Sequence, residues 1–432
     1  MSELCLKVGG NNERLTECHI PKPIQSLVKA VLKVEAVILN CKDQRCSRKP
    51  GLTESKLLFM VRSLQLIMTT HHVLALILVV TTGTCRAAYA DFDYGGMPVQ
   101  INRLLGEPSV LTLRGRVDSS WYRVLNRQGC PLECDCPIQW PSAMFCDNRG
   151  LFYVPTSFSP KSQYLFLQGN SITALPKSMF ENTTLVRWLI LDHNVLTSSQ
   201  IDNASLKGLH HLENLFMNYN NLTEIPSSLP SGLKQLRLAY NRINKIGPGV
   251  LDNLKNLTLL LLHRNQLKVI GEADFKGLQS LILLDLSHNS LTEFPTYLPP
   301  SIQQLYLSNN SLTALPGNCL INFKNLQYLR LSHNKLTNDG LPSTVFNTSA
   351  IVEMDLSYNQ LTSIPMVHES LQYLFLEANI IEAFNTSSFC RTVGPVNFSK
   401  MKLLRLDGNR LSYSQLPSDW VLCLRVLRDI YI

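Results

Sequence analysis

Leucine and its apolar relatives recur along this chain in one frame, L-x-x-L-x-L-x-x-N-x-L, with polar or aromatic residues at the x positions. YLFLQGNSI, LKQLRLAYNRI, LTLLLLHRNQL and LQYLRLSHNKL are four of its copies. The asparagine of the frame stands at 170, 194, 220, 241, 265, 289, 310, 334, 359, 379 and 409. Alternation within x-L-x predicts a short strand whose leucine points inward and whose x residues face the other way. One coil of this kind cannot bury its apolar side alone, so stability comes from stacking many. The asparagine falls where the chain leaves its strand. There its amide can bond backbone groups that would otherwise be buried unpaired, at about 1–3 kcal/mol each. It is therefore read as structural rather than catalytic.

This frame, recurring every 20 to 30 residues or so, is the leucine-rich-repeat signature. The copies are unequal. PSSLPSGLKQLRLAYN, PTYLPPSIQQLYLSNN and PMVHESLQYLFLEAN are short and carry a proline-marked turn, and two longer copies follow each of the first two. The short coils lack room for full helices, so their outer walls should be extended or polyproline-like. The expected fold is an α/β-type leucine-rich-repeat solenoid, curved, with a parallel sheet on its concave face. Its convex face would be irregular, polyproline-like or built of short helices, with disulfide caps at both ends. Eleven strands at about 4.8 Å give a face about 50 Å long.

The 432 residues divide unevenly. Residues 60–90 read as a secretory signal: Arg62 gives a positive start, Val73 to Val80 an apolar core, and Ala88-Tyr89-Ala90 a small-x-small cleavage site. That core is too short for a membrane span, which needs about 20 residues. Translation is expected to start at Met60 or Met68, with 1–59 a mis-predicted or alternative extension. Residues 91–129 read as linker, 130–160 as a cysteine-rich cap, 161–389 as repeats, and 390–432 as the last repeats with their own cap. No apolar anchor follows, so free secretion is expected. The formal charge of +8 invites a nucleic-acid reading, but from Asp91 onward 28 Lys+Arg face 26 Asp+Glu. Most of the excess lies upstream of the working part, and no nucleic-acid partner or membrane insertion is expected.

Of twelve cysteines, those at 5, 18, 41, 46 and 85 lie in segments expected to be absent or removed. Cys130, Cys134, Cys136 and Cys146 precede the first repeat as C-x3-C-x-C-x9-C. A solenoid end exposes leucines, so a disulfide-stapled cap is the expected solution, with zinc as the alternative. Cys390 and Cys423 flank the longest repeat and are read as a terminal disulfide, which leaves Cys319 as a small buried residue. Sequons stand at Asn182, Asn203, Asn221, Asn256, Asn309, Asn347, Asn385 and Asn397. Asn309 is set aside because it adjoins the structural Asn310.

The x positions assign Tyr164, Phe166, Trp188, Phe216, Tyr306, Tyr328, Tyr373 and Phe375 to the concave face, with Arg237, Arg330 and Arg405 among the charges. Aromatic and arginine side chains on an exposed sheet suit a protein-binding surface; the plainer reading is that some only cover the sheet. No nucleophile–base set, phosphate-cradling loop or metal-ligand cluster stands out, so neither an enzyme nor a cofactor is expected. His193, His288 and His333 each precede a frame asparagine, a position that the repeat itself explains.

CPLECDCPIQWPSAMFCDNRGL, FENTTLVRWLILDHN, EMDLSYNQLTSIPMV and FSKMKLLRLDGNRLSYSQLP with the following CLRV resemble the class II small leucine-rich proteoglycans, in their lumican–fibromodulin branch. The resemblance covers about residues 130–432 and leans to the lumican side in WLILDHN, GNRLS and CLRV. It implies a secreted extracellular-matrix protein that binds fibrillar collagen and limits fibril growth, with growth factors or cell-surface receptors as further partners. N-linked keratan sulfate or shorter chains are implied at Asn182, Asn221, Asn256 and Asn347, and Asn397 matches a further fibromodulin-like site. The implied disulfides are Cys130–Cys136, Cys134–Cys146 and Cys390–Cys423. The chain also departs from the family. Of the usual sulfatable tyrosines only Tyr89 and Tyr94 remain, with Tyr94 the candidate sulfotyrosine. An acidic-x-basic pair implicated in collagen binding is replaced by Arg410 and Ser412, and Cys319 is unpaired. The alternative function is a soluble repeat module that captures a growth factor or microbial ligand.

Overall fold

The computed structural model describes residues 129–137, 140–394 and 396–432. The expectations for 1–59, for the signal at 60–90, for nearly all of the linker and for Tyr94 lie outside them. Thirteen short strands form one sheet in strict chain order, each parallel to its neighbour. They are β1 (Ala143–Phe145), β2 (Tyr164–Phe166), β3 (Trp188–Ile190), β4 (Asn214–Phe216), β5 (Gln235–Arg237), β6 (Leu259–Leu261) and β7 (Leu283–Asp285). Then follow β8 (Gln304–Tyr306), β9 (Tyr328–Arg330), β10 (Glu353–Asp355), β11 (Tyr373–Phe375), β12 (Leu403–Arg405) and β13 (Asp429–Tyr431).

The middle residue of each repeat strand, Leu165 through Leu404, is buried against the coil before and after it. Phe180, Phe275, Phe323, Phe346 and Phe389 join the same continuous core. The outer wall is turns and extended chain, as expected for coils too short for helices. Among the described residues it holds 3₁₀ turns at Ser198–Gln200, Thr386–Ser388 and Tyr413–Gln415, and one α-helix, Trp420–Cys423. Gly277 allows one coil to lie directly on another, because a side chain there would collide with the Asp252 backbone.

The asparagine column joins the coils. Asn265 Nδ2 donates to Leu262 O at 3.0 Å in its own coil and to Leu238 O at 2.9 Å in the preceding one, while its Oδ1 accepts from Ile243 N at 2.9 Å. Asn194, Asn334 and Asn409 repeat this three-way pattern. At the first copy Asn170 Nδ2 reaches Cys146 O at 2.9 Å, which ties the cap into the same ladder.

Eleven strands were expected and thirteen form among the described residues. β1 lies within the cysteine-rich cap, where MFCDNRGL imitates a repeat closely enough to pair with β2. β13 lies beyond the last frame asparagine and pairs with β12. At about 4.8 Å per step the sheet is about 58 Å long. Disulfides join Cys130 to Cys136, Cys134 to Cys146 and Cys390 to Cys423, so the cap cysteines are not free to bind zinc. Cys319 is buried and unpaired, and burial pushes its thiol up to about 12.

Two outcomes follow from this packing. Asn265→Ala should orphan the Ile243 N–H and remove one of the two amide donors from each of Leu238 O and Leu262 O, which keep Asn241 and Asn289. Stability should fall by about 1–3 kcal/mol, read as a drop in urea midpoint at unchanged slope. Cys319 should resist alkylation in the folded protein at neutral pH and react only once the chain is unfolded, because both burial and a scarce thiolate protect it.

Candidate functional site

The register of the sheet puts the x residues in rows. One row runs Tyr164, Trp188, Asn214, Gln235, Leu259, Leu283, Gln304, Tyr328, Glu353 and Tyr373. The other runs Phe166, Ile190, Phe216, Arg237, Leu261, Asp285, Tyr306, Arg330, Asp355, Phe375 and Arg405. The face is therefore graded along its length.

Its first third is aromatic and closed by the cap. Phe166 is 0% exposed, stacked on Phe145 at 4.7 Å between ring centres and flanked by Trp140. Tyr164 packs on Trp140 at 4.7 Å and Trp188 meets Tyr164 at 5.9 Å. Phe216 is covered by the Arg237 guanidinium at 4.1 Å. The middle third is leucine. Leu259, Leu261 and Leu283 stand on the concave side yet are buried, flanked in register by Gln235 and Arg237 on one side and by Gln304 and Tyr306 on the other. Those bordering side chains are tied to each other, Arg237 Nη2 to Gln235 Oε1 at 3.2 Å and Tyr306 Oη to Gln304 Oε1 at 2.9 Å.

The last third alternates rings and charges. Arg330 lies over the Tyr306 ring at 4.9 Å and donates to Glu353 at 3.2 Å. Arg405 makes a two-point contact with Asp407 at 3.0 and 2.8 Å, stands 3.6 Å from Glu377, and lies over Tyr431 at 5.6 Å. Burial drives the Glu377 carboxyl above the usual carboxylate range, opposed by its backbone hydrogen bond and by Arg405. Burial likewise pushes the Tyr306 phenol up to about 12.

Of the eleven concave candidates, Tyr164, Trp188, Arg237, Tyr328, Arg330, Tyr373, Phe375 and Arg405 keep part of their surface in solvent. Phe166, Phe216 and Tyr306 do not, and their assignment as partner-facing residues is corrected: neighbours cap them, so they are packing residues of the sheet. One pair was missed. His263 Nδ1 lies 3.0 Å from Asp285 Oδ2, both side chains under 10% exposed, close enough for charge attraction though not aligned as a hydrogen bond. Burial opposes ionisation of Asp285, but the His263 ring and the Ser287 N–H at 2.9 Å together hold its carboxyl below the usual range.

The sequons lie off this face's rows. Asn182, Asn203, Asn256, Asn347, Asn385 and Asn397 are exposed, while Asn221 and Asn309 are half-buried. Asn309 sits in left-handed backbone and meets His288 Nε2 at 3.3 Å, consistent with its exclusion. Among the described residues no group of His, Cys, Asp or Glu is placed to hold a metal ion, and no helix is long and apolar enough to cross a membrane.

A capped parallel solenoid with a graded concave face is the architecture of a leucine-rich-repeat protein, and the sequence matches that family, "Leucine rich repeat", over residues 160–222, 231–295 and 298–338. Solved structures agree on the fold. A chain in the octameric complex of Latrophilin 3, Unc5D and FLRT2 superposes with a TM-score of 0.51 at 20% identity, over 68% of this chain and 100% of that one. The internalin InlF of Listeria monocytogenes gives 0.50 at 20% identity, over 63% and 76%. Lumican of Gallus gallus is 49% identical over 302 residues, 70% of this chain and 88% of that protein. Fibromodulin of Bos taurus is 46% identical over 304 residues, 70% and 80%. The chain belongs to the lumican–fibromodulin branch of the small leucine-rich proteoglycans, a family of the extracellular matrix.

The buried pair sets a pH-dependence whose sign is fixed. A carboxyl held low contributes fully above its unfolded value of 3.8 and loses that contribution as pH falls through the lower folded value. Asp285→Asn should flatten the acid limb of the stability–pH curve. Asp285→Ala should cost about 1–3 kcal/mol at neutral pH by leaving the Ser287 N–H without its acceptor and the buried His263 ring without the carboxylate beside it, read from denaturant midpoints.

Proposed function

We propose that the protein is secreted into the matrix, docks on fibrillar collagen through the last third of its concave face, and limits lateral fibril growth. N-linked chains on Asn182, Asn203, Asn221, Asn256, Asn347, Asn385 and Asn397 project from the coils and obstruct further accretion. The observation that supports this reading most is the run of half-exposed rings and pre-paired arginines at Tyr328, Arg330, Tyr373, Phe375 and Arg405. A rod built of polyproline-type chains offers flat imino-acid rings and carbonyls. Tyrosine rings pack on the former, and tyrosine hydroxyls and guanidinium donors bond the latter. A face about 58 Å long spans a rod or a broad protein surface, not a small-molecule pocket.

The test is type I collagen fibril assembly in the presence of the secreted, glycosylated protein, followed by turbidity and fibril diameter. Slower assembly and thinner fibrils are expected. Replacing Tyr328 and Tyr373 together by Ala should weaken collagen binding by about 30-fold or more, the scale of losing two central aromatic anchors at about 1 kcal/mol or more each. Unchanged fibrils from folded wild-type protein would overturn the reading in favour of capture of a soluble ligand.

A further inference from the structure

The last long coil folds back toward the repeat at β10 and leaves a cleft of about 450 Å³. Its lining includes Ser343, Asn347, Met366, His368, Glu369 and Arg391. None of these stands in the concave rows, and the cleft takes no part in the proposed collagen contact. Asn347 is a sequon asparagine, exposed, on the cleft wall. Arg391, far along the chain, donates from Nη2 to Asn347 Oδ1 at 3.1 Å.

That hydrogen bond meets the one amide atom that glycosylation leaves unchanged. Attachment of a sugar replaces a hydrogen on Nδ2 and leaves Oδ1 an acceptor, so the Arg391 contact survives and keeps the amide at the wall. Asn397 is arranged the other way: its Nδ2 is engaged, donating to Thr392 Oγ1 at 3.0 Å. The cleft's chemistry suits an amino sugar. Ser343, His368 and Glu369 offer hydroxyl, imidazole and carboxylate groups for sugar hydroxyls and the N-acetyl amide. Met366, 45% exposed, offers a soft apolar surface for the C–H face of the ring. The volume lies within the roughly 300–1,000 Å³ range of small-ligand sites.

We infer that this cleft is a binding site for the innermost N-acetylglucosamine residues of the chain's own glycan on Asn347, which it holds against the protein instead of letting them swing free. The inference rests on glycosylation of Asn347, part of the function proposed above. Asn182 supplies an internal control, because it stands as far ahead of β3 as Asn347 does ahead of β10 and does not line the cleft.

The experiment is a time course of peptide N-glycosidase release from the native secreted protein, read site by site by mass spectrometry with heavy-oxygen labelling. Asn347 should be released about tenfold more slowly than Asn182, the factor that about 1.4 kcal/mol of opening free energy imposes. Denaturation should erase the difference. Arg391→Ala should bring the Asn347 rate most of the way to that of Asn182, and Met366→Ala should move it in the same direction. Equal native rates at the two sites would overturn the inference, as would a difference that persists after unfolding. An unoccupied Asn347 would overturn both the inference and the glycan assignment at that site, an outcome visible in the same spectra as unmodified peptide.

Discussion

The side-chain amide that closes each repeat is the interaction on which the rest of the molecule depends. Every frame asparagine satisfies carbonyls in two successive coils and one N–H in the earlier of them, so each coil is placed relative to its predecessor by directional bonds as well as by leucine packing. That is why the outer wall can do without regular helices. The ladder also demands a left-handed residue just before the asparagine. His193, Tyr219, Tyr240, Arg264, His288, His333 and Tyr358 occupy it with φ between 52° and 55°, a conformation that costs non-glycine residues about 1–2 kcal/mol. Consecutive coils bring several of these side chains into register. His193 stacks on Tyr219 at 4.1 Å, Tyr219 on Tyr240 at 4.0 Å and His333 on Tyr358 at 4.1 Å. Such pairs return about 0.5–1.5 kcal/mol each, which offsets part of the strain. At the first and last copies the position is a glycine, Gly169 and Gly408, and at Gly169 the cap residue Asn148 lies where a side chain would go.

Fixed coils give straight rows, and straight rows turn an irregular set of x residues into a face with zones. The aromatic first third is spent on docking the cap. The leucine middle is buried by the side chains bordering it and behaves as a second, shallow core on the concave side. The last third alternates half-exposed rings with charges along its whole length. The His263–Asp285 pair marks the transition, two polar groups beside Leu261 that are tolerated because each lies against the other.

How much of this was legible in the sequence depended on the range of the interaction. The asparagine ladder, the parallel sheet and the short outer walls follow from spacing within one repeat, because the repeat is its own context. The zones do not. Phe166 and Phe375 occupy the same position of the frame, and nothing within YLFLQGN reveals that Phe145 and Trp140 of the cap close over the former. Leu259 and Leu261 could have been found, since LTLLLLHRN lacks the polar alternation of other copies and implies burial on both sides. β13 was missed because it carries no frame asparagine; pairing with β12, the Tyr413 hydroxyl on Ile430 O and packing of Ile430 against the core hold it. The Arg391–Asn347 contact joins residues 44 positions apart through a loop with no repeat pattern, so no local signal announces it.

For the docking proposed above, the pairing of the arginines sets the kind of recognition that the face can offer. Arg330 and Arg405 each hold a carboxylate and a ring within the sheet. Their side chains are thus already ordered and partly desolvated, so a partner meets guanidinium groups that surrender little further freedom on binding. The same pairing cancels their net field, and the near-balance of 28 basic and 26 acidic residues from Asp91 onward leaves little long-range steering. Encounter is then left to diffusion and selection to shape, with ring contact and geometric fit deciding what stays bound. Such a face discriminates by the spacing of features along its partner, and a sheet held in register by an unbroken column of amides presents its own features at constant intervals.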